Sequence, residues 1–121
     1  MNESDKNQAL LKRTIRFSRS IVHLCRTLKD DEIARWLTQQ LFRSATSVGA
    51  NLHEAQGAQS RKDFISKISI SQKESIETTY WLQLICEEKL GAIDDARRLY
   101  DEASELAKIF SSILISCKKR M

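Results

Sequence analysis

The chain has 121 residues, room for one domain, and a formal net charge of +4. Its 41% hydrophobic and 30% charged residues are typical of a globular chain and exclude a disordered or fibrous one. No apolar run approaches the ~18 residues of a membrane span. The polar stretch from Met1 to Leu11 lacks the apolar segment of a secretory signal, so we expect none. Proline is absent and glycine occurs three times, which predicts a few long helices with short connections.

The three cysteines, Cys25, Cys86 and Cys117, are odd in number and widely spaced. This pattern favours neither a disulfide framework nor a zinc site. Each lies beside apolar residues at helical spacing, so we interpret them as small buried hydrophobes. Reduced thiols are typical of the cytoplasm, which is the expected compartment.

Hydrophobic periodicity predicts four helices, over about residues 6–28, 32–56, 61–90 and 94–118. Ser4 or Asp5 would cap the first helix, Asp30 or Asp31 the second, and Ser60 the third, within a capping box. Gly57 and Gly91 would end the second and third helices in the left-handed conformation. The fourth helix would begin at Asp94 or Asp95.

Each predicted helix carries an apolar seam with steps of mostly 3 and 4 residues. In the first helix a second seam lies beside the main one, so we expect a wide buried face there. The main seam of this helix consists of Leu10, Thr14, Phe17, Ile21, Leu24 and Leu28. Short connections make successive helices antiparallel, and such seams suit nearly parallel packing. The sequence therefore predicts one all-α domain over residues 1–121, an antiparallel up-down-up-down four-helix bundle. The second seam consists of Leu11, Ile15, Ser18, Val22 and Cys25.

One face of the first helix is basic, and we name it the basic stripe. Its members step by 4, 3, 4 and 3 residues and lie within an arc of about 80°, opposite the main seam. No Asp or Glu occurs between Lys6 and Lys29, although mixed signs would stabilise an exposed helix. The stripe predicts contact with nucleic-acid phosphate; alternatives are an acidic protein, or a solvated face paired with helix four or another subunit. The basic stripe consists of Lys12, Arg16, Arg19, His23 and Arg26.

The third helix is apolar on its outer side as well as its inner side. Ile70, Trp81 and Leu84 lie on the side expected to face water, and Tyr80 is near them. A helix that is apolar on both sides either is buried on both sides within its own chain or contacts a partner. We expect a homo-oligomer interface; the alternative is cover by flanking helices of the same chain.

A polar stripe joins the second and third helices, and we interpret it as a structural ion network that fixes register. The alternatives are a binding surface and, weaker still, a catalytic or metal-binding use of Glu54 with Glu74 or Glu77. Bundle metal sites use a Glu-x-x-His pair, which the sequence lacks, as it lacks phosphate-binding and nucleophile motifs. We therefore expect no enzyme activity, cofactor, metal, membrane or small-molecule site. The predicted network consists of Arg43, Ser47, Asn51, Glu54, Glu74 and Glu77.

The segment from Leu41 to Gly57, with Ser60 to Phe64 and Glu74 to Leu82, resembles the four-helix-bundle family of 23S rRNA intervening-sequence proteins. The string Arg-x-Ala-x-Ser-Val-x-x-Asn-x-x-Glu carries the likeness. Many members have Gly directly after that Glu, where this chain has Ala55-Gln56-Gly57. The string maps to Arg43, Ala45, Ser47, Val48, Asn51 and Glu54.

This resemblance implies a bacterial four-helix bundle assembled as a homopentamer. It also implies a distant similarity to the accessory protein of diversity-generating retroelements, a basic barrel that binds nucleic acid. Together with the basic stripe it leads to the hypothesis of a non-enzymatic oligomer that binds RNA or DNA. The alternative is a protein–protein scaffold that docks an acidic partner.

Overall fold

The computed structural model describes residues 2–120, and its four α-helices confirm the all-α bundle. The helices are α1 (Glu3–Cys25), α2 (Glu32–Ala55), α3 (Arg61–Glu88) and α4 (Ile93–Lys119). Each packs on its neighbours in a closed square, with α1 opposite α3 and α2 opposite α4. The α2–α3 and α3–α4 pairs share most of the packing, and α1 touches α4 least. No described helix is long and apolar enough to cross a membrane.

Several helix ends depart from the predicted ones, and α1 begins and ends three residues earlier than predicted. Asn2 caps α1, since its Oδ1 accepts from the amide of Asp5 at 2.8 Å, so the prediction of Ser4 or Asp5 is wrong. Asp31 and Ser60 cap α2 and α3 as predicted. Helix α4 begins at Ile93 without a side-chain cap, so Asp94 and Asp95 lie in its first turn, where carboxylates favour the helix dipole.

Neither Gly57 nor Gly91 is left-handed, which corrects both predictions. After α2 the chain tightens into i to i+3 bonds, with Gly57 N donating to Glu54 O at 3.0 Å. At the end of α3 the left-handed residue is Lys89, two positions before Gly91. A Cβ on Gly91 would lie 2.6 Å from Cδ2 of Leu28 in the neighbouring loop, so a larger residue there would require the Leu28 side chain to shift.

The core lies along one seam of each helix. The main seams of α1 to α4 are buried over most of their length. Between α2 and α3 the seam contains small hydroxyl residues, which let the two backbones approach: Ser71 Oγ donates to Val48 O at 2.8 Å, and Thr78 Oγ1 donates to Ser44 Oγ at 3.0 Å. No buried side-chain polar atom of residues 2–120 lacks a partner, so these hydroxyls carry no desolvation penalty.

The wide buried face predicted for α1 is only half realised. Leu11, Val22 and Cys25 are half-buried, and Ile15 is 59% exposed. Of the second seam, Leu11 and Cys25 pack against the core. The three cysteines are free and half-buried.

Candidate nucleic-acid interface

The main seam of α1 points into the bundle, and the basic stripe points away from it. All five stripe side chains are exposed. Within residues 2–120 none of them forms an ion pair with a carboxylate. The stripe therefore presents positive charge to solvent along about 21 Å of helix, at 1.5 Å per residue.

One cation of α1 does pair with α4, and it is not a stripe residue. The guanidinium of Arg13 donates from Nε and Nη2 to both carboxylate oxygens of Glu102, each at 2.7 Å. These bonds raise the pKa of Arg13 above its ordinary value. Arg13 lies on the α4 side of α1, and its partner is 89 residues away in the chain. Sequence reasoning missed this pair because nothing local signals it.

A groove of about 580 Å³ separates α1 from α4 beside the stripe. Arg16 and His23 line it from α1, and Asp95, Arg98 and Glu102 line it from α4. Both acids are already engaged: Asp95 pairs with Arg98 one turn along its own helix, and Glu102 pairs with Arg13. The neighbouring helix therefore leaves the stripe cations without a close partner.

The predicted polar network separates into two ion-pair groups in the structure. Arg43 donates to Glu74 at 2.7 Å and also pairs with Glu77, whose carboxylate accepts from Trp81 Nε1 at 3.0 Å. The two carboxylates raise the pKa of Arg43, Glu74 through its hydrogen bond most of all. Trp81 was not expected to belong to this group.

The second group lies toward the opposite end of the same face. Glu54 pairs with Lys67 at 3.0 Å, and this hydrogen bond raises the pKa of Lys67. Ser47 and Asn51 join neither group, because Ser47 Oγ donates to Arg43 O and Asn51 Nδ2 to Ser47 O, both within α2. Glu54 and Glu74 are held by separate cations. No cluster of His, Cys, Asp or Glu among residues 2–120 has metal-binding geometry.

The predicted interface residues of α3 are not equally exposed. Ile70 and Tyr80 are exposed, and Trp81 and Leu84 are half-buried. The Trp81 ring packs edge-on against Trp36 of α2, with centroids 5.7 Å apart, and against Tyr80 at 5.1 Å. Trp36, 54% exposed, extends the apolar surface onto α2; sequence reasoning missed it because it belongs to no seam.

Ile70 lies outside this aromatic cluster. It is about 16 Å along α3 from Trp81, and the Arg43 ion pairs lie between the two. The structure thus brings together Trp36, Tyr80 and Trp81 near one end of the α2–α3 face and leaves Ile70 apart.

Comparisons with known proteins agree with this architecture. The family model described as 23S rRNA-intervening sequence protein matches residues 6–112. A solved structure of a protein of unknown function from the S23 ribosomal protein family of Bacteroides thetaiotaomicron VPI-5482 is 35% identical, with a TM-score of 0.79. The match covers 86% of this chain and 96% of that one. No curated protein matches the chain.

Proposed function

The chain belongs to the 23S rRNA-intervening sequence protein family, and from this premise we propose that it is a non-enzymatic homo-oligomer that binds RNA or DNA through the basic stripe. One observation carries the proposal: five exposed basic side chains share a face of α1, and none has an ion-pair partner within residues 2–120. The family name, which refers to 23S rRNA, makes RNA the first nucleic acid to test.

Electrostatics supports phosphate as the ligand of this face. Uncompensated like charges repel along a helix, and an anionic polymer that releases its counterions relieves that repulsion. Some exposed cations elsewhere are paired locally, as Arg43 is with Glu74 and Arg98 with Asp95, and others, such as Lys73, form no ion pair within residues 2–120. The stripe differs because its basic residues lie together on one face and no Asp or Glu occurs from Lys6 to Lys29.

The length of the stripe indicates how it would contact a strand. About 21 Å of helix spans roughly six phosphates of one strand of a duplex, at about 3.4 Å of axis per phosphate. No aromatic side chain lies within the stripe to stack on bases. We therefore expect backbone contacts with a strong dependence on salt and little dependence on sequence.

Fluorescence anisotropy with labelled RNA and DNA of about 20 nucleotides, single-stranded and duplex, tests the stripe across a salt series. The variant Arg16→Gln/Arg19→Gln/Arg26→Gln should bind more weakly, and its slope of log K against log salt should be shallower by about three units, one per lost phosphate contact. The matched control is Lys62→Gln/Lys73→Gln/Arg97→Gln, which removes three exposed cations from α3 and α4.

The control should keep the wild-type slope, because it changes net charge equally but leaves the stripe intact. If both triple variants shift alike, the binding depends on net charge and not on the stripe. If the stripe variant keeps wild-type affinity and slope, the nucleic-acid proposal is wrong, and an acidic protein becomes the better candidate for this face.

The oligomeric part of the proposal is supported by the aromatic cluster of Trp36, Tyr80 and Trp81. Tyr80 is 61% exposed, and exposed neighbouring aromatics are typical of protein interfaces. Resemblance to the family implies five subunits. Light scattering on the purified wild-type protein should give a pentamer. Tyr80→Glu should dissociate it, whereas the control Ile115→Glu, at an exposed site on α4, should leave it intact. A wild-type monomer would contradict the oligomeric part of the proposal.

A further inference from the structure

A second surface of α1 lies between the basic stripe and α2, and it is apolar. Leu11 and Val22 are half-buried, and Ile15 between them is 59% exposed. The three share one face because they step by 4 and 7 residues. This row forms one wall of a groove along the outside of the α1–α2 pair.

Helix α2 supplies the other wall. A Cβ on Gly49 would lie 3.1 Å from Cβ of Thr14, which identifies the face of α2 that meets α1. Phe42 and His53 lie on that face, 7 residues before and 4 after Gly49. Phe42 is 45% exposed. His53 lines one hollow together with Leu11, Ile15, Lys12 and Arg16, so the two walls face each other.

The charge around this groove has a single sign. Lys12 and Arg16 form its rim on the α1 side. Neither Lys6 to Lys29 in α1 nor Ile33 to His53 in α2 contains an Asp or Glu. An occupant must therefore bury apolar side chains against the floor and offer carboxylates to the rim.

We propose that the α1–α2 groove binds an amphipathic helix of a partner protein whose polar edge is rich in Asp and Glu. The hollow is lined by Leu11, Ile15 and His53, and helical periodicity continues its walls to Val22 and Phe42. Each wall then has 12 residues and is about 16 Å or three helical turns long. A helix laid along two helices inserts side chains at i, i+3, i+4 and i+7. This inference goes beyond the proposed function, because it concerns the apolar surface beside the stripe, which shares only Lys12 and Arg16 with it, and a different class of partner.

Two other occupants fit the groove less well. Nucleic acid gains little from the aliphatic floor of the groove. The part of the stripe beyond Arg16 offers it cations on a surface that has no such apolar floor. A second copy would bring α3 or α4, each of which has five acidic residues but also four basic residues in α3 and five in α4. Both helices are therefore close to charge-balanced, and neither complements the rim as well as a helix rich in Asp and Glu would.

The test uses full-length protein and two labelled synthetic peptides of about 18 residues, long enough to cover the groove. Both carry leucines at i, i+3, i+4 and i+7. The remaining positions are Glu and Ala in one peptide and Lys and Ala in the other. By anisotropy the Glu peptide should bind and the Lys peptide should not, because only the first complements the rim.

The double variant Ile15→Gln/Phe42→Gln should weaken Glu-peptide binding by about tenfold or more, since it removes the two most exposed apolar contacts. The matched control, Ile76→Gln/Ile115→Gln, changes two isoleucines of similar exposure on α3 and α4 and should bind within about twofold of wild type. Neither variant alters net charge, so the salt dependence of nucleic-acid binding should stay as in the wild type.

Three results would overturn the inference: equal binding of both peptides, equal binding by wild type and Ile15→Gln/Phe42→Gln, or dissociation of a homo-oligomer by that variant, which would make a second copy the occupant. A parallel loss of RNA binding would likewise assign the groove to nucleic acid. The double variant Arg19→Gln/Arg26→Gln tests the proposed function separately, because it removes two stripe cations and leaves the groove residues Lys12, Arg16 and Ile15 in place.

Discussion

The two long sides of the bundle use charge in opposite ways. On the α2–α3 side, Arg43 is held by two carboxylates and Glu54 by Lys67, so the side is close to neutral and fixed in register. On the α1 side, only Arg13 is paired, and the stripe is left open. The same bundle therefore has one side with ion pairs between two helices and another side whose five stripe residues form no ion pair within residues 2–120.

Packing follows the same division. Helices α2 and α3 meet along a hydroxyl-lined seam with internal hydrogen bonds, whereas α1 meets α4 over a short length and leaves a groove on each flank. Binding surfaces usually occur on loosely packed elements. Such an element keeps apolar and charged groups exposed, and a ligand can bury them. Position in the bundle, more than composition, therefore distinguishes charged residues held in ion pairs from those left free to bind a ligand.

The largest effect that tests this division concerns Arg43. Arg43→Gln should lower the free energy of unfolding by about 1–2 kcal/mol, because it leaves the largely buried carboxylate of Glu74 one turn from Glu77 without a cation. Arg13→Gln should cost less, about 0.5–1 kcal/mol, since Glu102 then faces an open groove. Urea unfolding followed by circular dichroism, at one fixed protein concentration, measures both.

Lys73→Gln is the control for this pair of variants, because Lys73 is exposed and forms no ion pair within residues 2–120. Its free energy of unfolding should stay within about 0.5 kcal/mol of wild type. If Arg13→Gln were less stable than Arg43→Gln, the α1–α4 ion pair would contribute more to the free energy of unfolding than the α2–α3 ion pairs, and the comparison of the two sides would be wrong.

The main seams of all four helices could be read from the sequence because burial at steps of 3 and 4 residues is a local pattern. The family resemblance is confirmed by the match over residues 6–112. The Arg13–Glu102 pair and the Trp36–Trp81 contact were out of reach, because each depends on which faces of distant helices meet. The sequence also predicted the left-handed residue at Gly91, whereas the structure has it at Lys89. Glycine is the commonest residue in that conformation but not a required one.

The smallest effect is a dependence of stability on pH that originates on the α1 side. Burial raises the pKa of the Cys25 thiol from its ordinary 9.0 to about 11. Below pH 9 the thiol is protonated in both states and has no effect. Between pH 9 and 11 the unfolded chain loses this proton first, so the folded state should lose stability as pH rises, by about 0.5 kcal/mol once the partial exposure of the thiol is allowed for.

Urea midpoints at pH 8 and pH 10.5 measure that loss, and the difference between variants separates it from lysine and tyrosine titration. Cys25→Ala should lose less stability than wild type over this interval, while Cys117→Ala, which also removes a half-buried thiol, should lose as much as wild type. Cys25 lies on the same second seam as Ile15, near the groove between α1 and α2. An equal loss in wild type and Cys25→Ala would therefore mean that water reaches Cys25 freely, and that the open part of the α1 side extends to the end of its helix.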